Sequence, residues 1–186
     1  MTSIMPPDLL RDLEDLGIPY GKVSLSEHKD TWRNTAEKLI RVLWQILGDY
    51  PLDIEHVGST AIRTIPAKPV LDIIVGVDDL SRLDSYRDAL SENGIRIVGE
   101  LNPGQIMCDM KNTRGLECVH IHFLPHKAEA FRNYLAFRDY LNRSPEEAKI
   151  YTARKEMLAA LFADDRPHYT AGKDDLIKSL LHRARG

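Results

Sequence analysis

The residue with the strongest claim to chemistry is Asp72, a carboxylate set in the middle of the apolar run PVLDIIVGV. An isolated ionised carboxylate in such a run costs several kcal/mol unless it is paired or binds a metal. A second pair of candidates is His120 and His122 in ECVHIHFL, which share one strand face while Val119, Ile121 and Phe123 take the other. Together with Asp72 they would make a His-His-Asp metal site, better suited to zinc, manganese or iron than to magnesium. Two half-buried histidines hydrogen-bonded to neighbours is the competing reading, and the metal's identity stays open.

Other residues read as phosphate chemistry. Gly58-Ser59 follows a strand-like segment, where glycine lets the backbone approach a phosphate and the hydroxyl donates to it; a plain strand-ending turn is the alternative. Lys68, just before Pro69, would neutralise phosphate charge at the entrance to the Asp72 strand, or else be a solvated loop lysine. Arg138 falls on the apolar face of its helix beside Leu135 and Leu141 and needs an anionic partner, either a substrate phosphate or Asp139's neighbours in the fold. Lys173 follows Thr170, a good helix N-cap, and would reach an anion drawn to that helix start; ordinary capping accounts for most of this pattern. Tyr151 and Lys155 read as a packing and a solvated-face residue. Glu55 points opposite His56, and which of the two faces Asp72 is not legible from alternation alone. Ser59 lacks a G-x-S-x-G elbow, so a Ser-His-Asp hydrolase is set aside.

The elements that must position these residues follow from periodicity. Leu9, Leu10, Leu13 and Leu16 predict a short leading helix stopped at Gly17, and KVSLSEH a strand. Trp32, Ala36, Leu39, Leu43, Ile46 and Leu47 mark one face of a helix ending near Gly48. IEHVGS and PVLDIIVGV are expected as central strands, joined by a stiff loop carrying Pro66 and Pro69. Leu80 to Asn93-Gly94 predicts a helix, then IRIV, IMCDMK and ECVHIHFL three strands. From Lys127 onward the pattern is helical, with a start at Ser144-Pro145-Glu146-Glu147 and a last helix opened by Thr170.

Composition sets the outer bounds. At 186 residues, 43% hydrophobic and 28% charged, the chain can build a full core, and without repeats or linkers residues 1–186 read as a single domain with 1–20 as a leading helical segment. A net charge of -3 argues against non-specific nucleic-acid binding. Cys108 and Cys118 form no C-x-x-C pair, so a reducing compartment is the simplest reading. The opening MTSIMPPDLL has no basic n-region, and no apolar stretch reaches the ~18 residues of a membrane span, so a cytoplasmic location is expected.

The segment IEHVGSTAIRTIPAKPVLDIIVGV resembles the signature of the GrpB family (UPF0157-type), as do HIHF and FRDYLNRSPEEAKIYTARKEMLAALFADDRPHYTAGK, in order and with similar spacing over most of residues 53 to 173. The resemblance implies an α/β (α+β), nucleotidyltransferase-like mixed β-sheet flanked by helices, with a helical C-terminal third. Similar domains occur fused to dephospho-CoA kinase, which implies a coenzyme A pathway partner. Tyr169 and Lys173 match the family's Y-T-x-G-K pattern, while Arg63 stands where the family usually has proline, leaving the loop's course open. Nucleotidyltransferases hold divalent metal with two carboxylates two residues apart; here those positions are Val70 and Ile74. The resemblance therefore leaves three readings: metal-dependent transfer to an acceptor from a nucleotide or other phosphorylated small molecule, a non-catalytic nucleotide- or partner-binding module, and a metal-dependent hydrolase.

Overall fold

Five strands carry the residues of interest: β1 (Pro51–Val57), β2 (Leu71–Val77), β3 (Ile95–Asn102), β4 (Gln105–Lys111) and β5 (Glu117–Pro125). The computed structural model, which describes residues 3–185, pairs them in the order β1-β2-β5-β4-β3. All neighbours run antiparallel except β2 and β5, which are parallel. Around the sheet lie α1 (Pro7–Glu14), α2 (Asp30–Leu47), α3 (Arg87–Glu92), α4 (Glu129–Arg143), α5 (Pro145–Leu161), α6 (Arg166–Ala171) and α7 (Asp174–Arg185), the last four making the C-terminal third helical.

Strand alternation divides the sheet's two faces between two cores. Leu71, Ile73 and Val75 of β2 and Val119, Ile121 and Phe123 of β5 join Leu9 and Leu13 of α1 with Trp32, Ala36, Leu39 and Leu43 of α2 in the main core. On the other face Val57, Ile74 and Leu124 meet Phe131 of α4. There the 58–69 connection also becomes structural, because Ile62 and Ile65 pack with Leu141, Tyr151 and Leu180. Asp72, His120 and His122 belong to this second face, under the C-terminal helices.

Four expectations are corrected. KVSLSEH is not a strand; Val23 N–H bonds Ala163 O at 2.7 Å and Ser26 makes a single bridge to Ala67, so its backbone is satisfied piecemeal rather than in a ladder. The strand in IEHVGS is an edge, not central, because among the described residues β1 pairs only with β2. The helix from Leu80 begins as a 3-10 stretch, Leu80–Tyr86, capped by Asp79, before α3. Thr170 opens no helix: it lies inside α6, which Asp165 caps through His168 N–H, and α7 begins at Asp174 after Gly172. Among the described residues no helix is long and apolar enough to cross a membrane.

Candidate active site

The parallel register sets Asp72 opposite His120 and Ile74 opposite His122, so the aspartate and both imidazoles project from adjacent strands on one face. His120 Nδ1 lies 3.2 Å and His122 Nε2 3.8 Å from Asp72 Oδ1. One ligand atom from each of the three residues lies within 4.8 Å of the others, close enough to hold a single ion. Burial opposes Asp72's charge, but hydrogen bonds to His120 and His122 outweigh it and hold the carboxyl well below the usual carboxylate range. Its side chain remains 30% exposed, so an incoming ligand can reach it. His120 shows the complementary balance: burial disfavours its charge, yet Asp72 and Glu117 raise its pKa.

Gly58 brings the loop against this carboxylate. Its φ is +68°, and a Cβ added there would stand 2.9 Å from the Cβ of Asp72. Glycine is therefore required twice, by conformation and by space. Gly58→Ala is expected to cost about 1–3 kcal/mol and to displace Asp72, read as a lowered denaturation midpoint; an unchanged midpoint would show that the loop yields freely. Ser59 next to it bonds the Tyr151 hydroxyl, whose pKa burial pushes up to about 12.

Lysines close the other side. Burial pushes Lys68 down to about 8, helped by repulsion from Arg166 and Lys173, while Asp72 opposes the shift. Lys173 is lowered for similar reasons, burial first. Both ammoniums lie over the Tyr169 ring, at 5.4 and 4.5 Å from its centroid, and neither has a carboxylate or hydrogen-bond partner among the described residues. Lys155, 1% exposed, donates to Pro66 O and is pushed down to about 7 by burial and by its two lysine neighbours. Positive charge thus accumulates beside a single aspartate, an arrangement that calls for an anion.

A model of the family described as GrpB protein matches residues 22–183. The chain belongs to the GrpB family. It is 30% identical over 171 residues to the glutamate-rich protein GrpB of Alkalihalophilus pseudofirmus, covering 90% of this chain and 98% of that one. With a UPF0157 protein of Deinococcus radiodurans it shares 41% identity over 150 residues, 80% of this chain and 77% of that one. The crystal structure of a conserved protein GrpB from Enterococcus faecalis superposes with a TM-score of 0.79 at 28% identity, covering 87% of this chain and 96% of that one. Cid1 in complex with the UTP analog UMPNPP aligns at a TM-score of 0.42 and 16% identity over 78% of this chain and 48% of that one.

Within this GrpB-family site, Gly58, Ser59, Lys68, Asp72, His120, His122 and Lys173 stand together, whereas Arg138 does not join them. Its Nη1 donates to Glu55 Oε2 at 2.6 Å and His56 O at 3.0 Å, and its Nε to Asp139 at 2.8 Å, so the guanidinium already has its anions. It lines a separate cavity of about 930 Å³ with His56, Thr60 and Arg63, to which Asp72 and the three lysines do not contribute. The register also answers the question of faces: Glu55 lies on the face of Asp72, since Val57 pairs with Asp72 and Glu55 with Ile74. The loop's course past Arg63 is set by Asn142, which accepts from Arg63 N–H and donates to Ala61 O.

Three participants escape the sequence reading. Lys155 is buried rather than solvated; its spacing from Tyr151 and Leu158 on α5 places it on the helix's inward stripe, and that spacing was the available signal. Glu117 and Arg166 form an ion pair beside His120. Their separation of 49 residues leaves no local signal.

Proposed function

We propose that the chain binds a phosphorylated small molecule, a nucleotide by class, in the Asp72 pocket, with a divalent metal on Asp72, His120 and His122. The observation that carries this is the convergence on one sheet face of a three-ligand cluster with two half-buried ammoniums, Lys68 and Lys173, which feel the charge of Asp72 but have no carboxylate within ion-pair distance among the described residues. When bound, the metal supplies Lewis-acid stabilisation of charge on phosphate oxygens. The protein's own contribution is positional: Lys68 and Lys173 meet the same oxygens, Gly58 lets the backbone approach, and Lys155 backs the loop through Pro66. The reaction such an arrangement suits is nucleotidyl transfer to an acceptor hydroxyl or amine.

A specific observation favours a second reading. Where a second carboxylate would stand, two residues to either side of Asp72, Val70 and Ile74 are buried apolar residues, and Glu55 on the same face is held by Arg138. A non-catalytic module that senses the same ligand, or supports a coenzyme A pathway partner, needs no second carboxylate. The deciding experiment is thermal unfolding of metal-stripped protein against nucleoside triphosphates, coenzyme A precursors and divalent metals, with product analysis for each ligand that binds. Ligand at 100 times its dissociation constant is expected to add ~2.7 kcal/mol, and the shift should vanish in Lys68→Ala. Binding with turnover in the presence of an acceptor supports the enzyme, phosphate release without an acceptor would mean a hydrolase, and binding without product supports the module. No shift with any ligand overturns the pocket.

A further inference from the structure

An imidazole ligates a metal through a lone pair, so its proton must sit on the other ring nitrogen and be held there by an acceptor. For His122 the nitrogen facing Asp72 is Nε2, and the far nitrogen, Nδ1, lies 2.6 Å from Gln105 Nε2. Gln105 is only 7% exposed, and its amide also lies 3.4 Å from the Tyr134 hydroxyl. A side-chain amide presents either its oxygen or its nitrogen by a half-turn. With oxygen toward the ring, Gln105 accepts from Nδ1–H and the Nε2 lone pair points at Asp72.

His120 uses its nitrogens the other way round. Nδ1 faces Asp72, and Nε2 lies 3.7 Å from Glu117 Oε2 and 3.1 Å from Arg166 Nη2. A guanidinium only donates, so Arg166 drives the ring proton to Nδ1, where it is given to Asp72 and covers the lone pair. A carboxylate only accepts, so Glu117 draws the proton to Nε2 and frees Nδ1. Glu117 is 8% exposed and fixed by its ion pair with Arg166.

We infer that Gln105 and Glu117 are positioning residues that set His122 and His120 in opposite tautomers, turning Asp72 and the two imidazoles into a site for a divalent transition metal rather than for magnesium. This rests on the metal reading of the pocket and adds what selects the metal: a two-imidazole, one-carboxylate donor set suits zinc, iron(II), manganese or cobalt, whereas magnesium prefers oxygen donors. Arg166 is the counterweight that stabilises the metal-free tautomer of His120.

The test is a cobalt(II) titration of the metal-stripped full chain, followed by visible absorption in the presence of excess magnesium. Wild type is expected to develop ligand-field bands that magnesium does not displace. Gln105→Leu and Glu117→Leu, which remove the acceptors, are expected to bind cobalt roughly 10- to 100-fold more weakly. Gln105→Glu, which accepts but cannot donate, is expected to match or exceed wild type, whereas a merely structural Gln105 would tolerate the new charge worse than leucine. Circular dichroism verifies folding of each variant, and should Glu117→Leu not fold, the two Gln105 variants decide alone. Wild-type affinity in folded Gln105→Leu would overturn the positioning role while leaving the metal site standing; absence of cobalt bands in wild type would remove the metal reading beneath it.

Discussion

Asp72→Asn in metal-stripped protein is expected to lose on the order of 3 kcal/mol of stability, or roughly 6–12 °C in Tm for a chain of this size. The substitution keeps the shape and deletes the charge that faces His120, His122 and the lysines, leaving buried cations without their counter-charge. The pH dependence distinguishes this from a packing defect. Asp72's lowered pKa contributes stability that is full above the unfolded value of about 4 and lost as pH falls through the folded one. The raised pKa of His120 contributes stability that is full below about 6.5 and lost as pH rises through its folded value. The gap between wild type and Asp72→Asn should therefore be widest between about pH 4 and 6.5 and narrow on both sides. A gap of constant size from acid to alkaline pH would mean that the ion pair contributes nothing.

Lys155→Met is expected to move stability in the opposite direction. With its pKa pushed down to about 7 by burial and by Lys173 and Lys68, Lys155 is protonated in the unfolded chain but resists protonation when folded. Between about pH 7 and the unfolded value of about 10.4, the unfolded chain binds the extra proton, so wild type gains up to ~1.4 kcal/mol per pH unit relative to the methionine variant. At pH 7 methionine should thus be the more stable, by on the order of 2 kcal/mol once the orphaned Pro66 carbonyl is allowed for, and the advantage should close by about pH 9 and reverse above it. Urea midpoints of both proteins at several pH values measure this directly. A variant less stable than wild type at every pH would show that the bond to Pro66 O, not the buried amine, governs the position. The expected trade is stability for function: the residue that weakens the ligand-free chain backs the loop that carries Lys68.

How much of this was legible in the sequence depended on whether the signal was local. The run around Asp72 announced β2, and alternation in VHIHF placed both histidines on one face, because period-2 patterning is a property of adjacent residues. The α2 stripe from Trp32 to Leu47 was equally plain. KVSLSEH failed because alternation says nothing about whether a partner strand is within reach. Thr170 failed because Asp165, five residues earlier, had already started a helix through it. Within the site, the pairing of Arg138 with Glu55 spans 83 residues and that of Lys155 with Pro66 spans 89, distances over which chain order carries no geometric information.

The parallel alignment of β2 with β5 has a bearing on how the chain is made. A ribosome emits Asp72 and Lys68 early, but His120, Lys155, Arg166 and Lys173 all belong to later stretches. Until β5 slots between β2 and β4, the Leu71–Val77 run has an unpaired side, a template for sticking to other nascent chains. Prematurely terminated products would carry that adhesive edge and only part of the Asp72 cluster. Only a chain extended through β5 and the helices beyond it can both hide that edge and bring His120, Lys155 and Lys173 to Asp72, so a single late event closes the sheet and assembles the cluster.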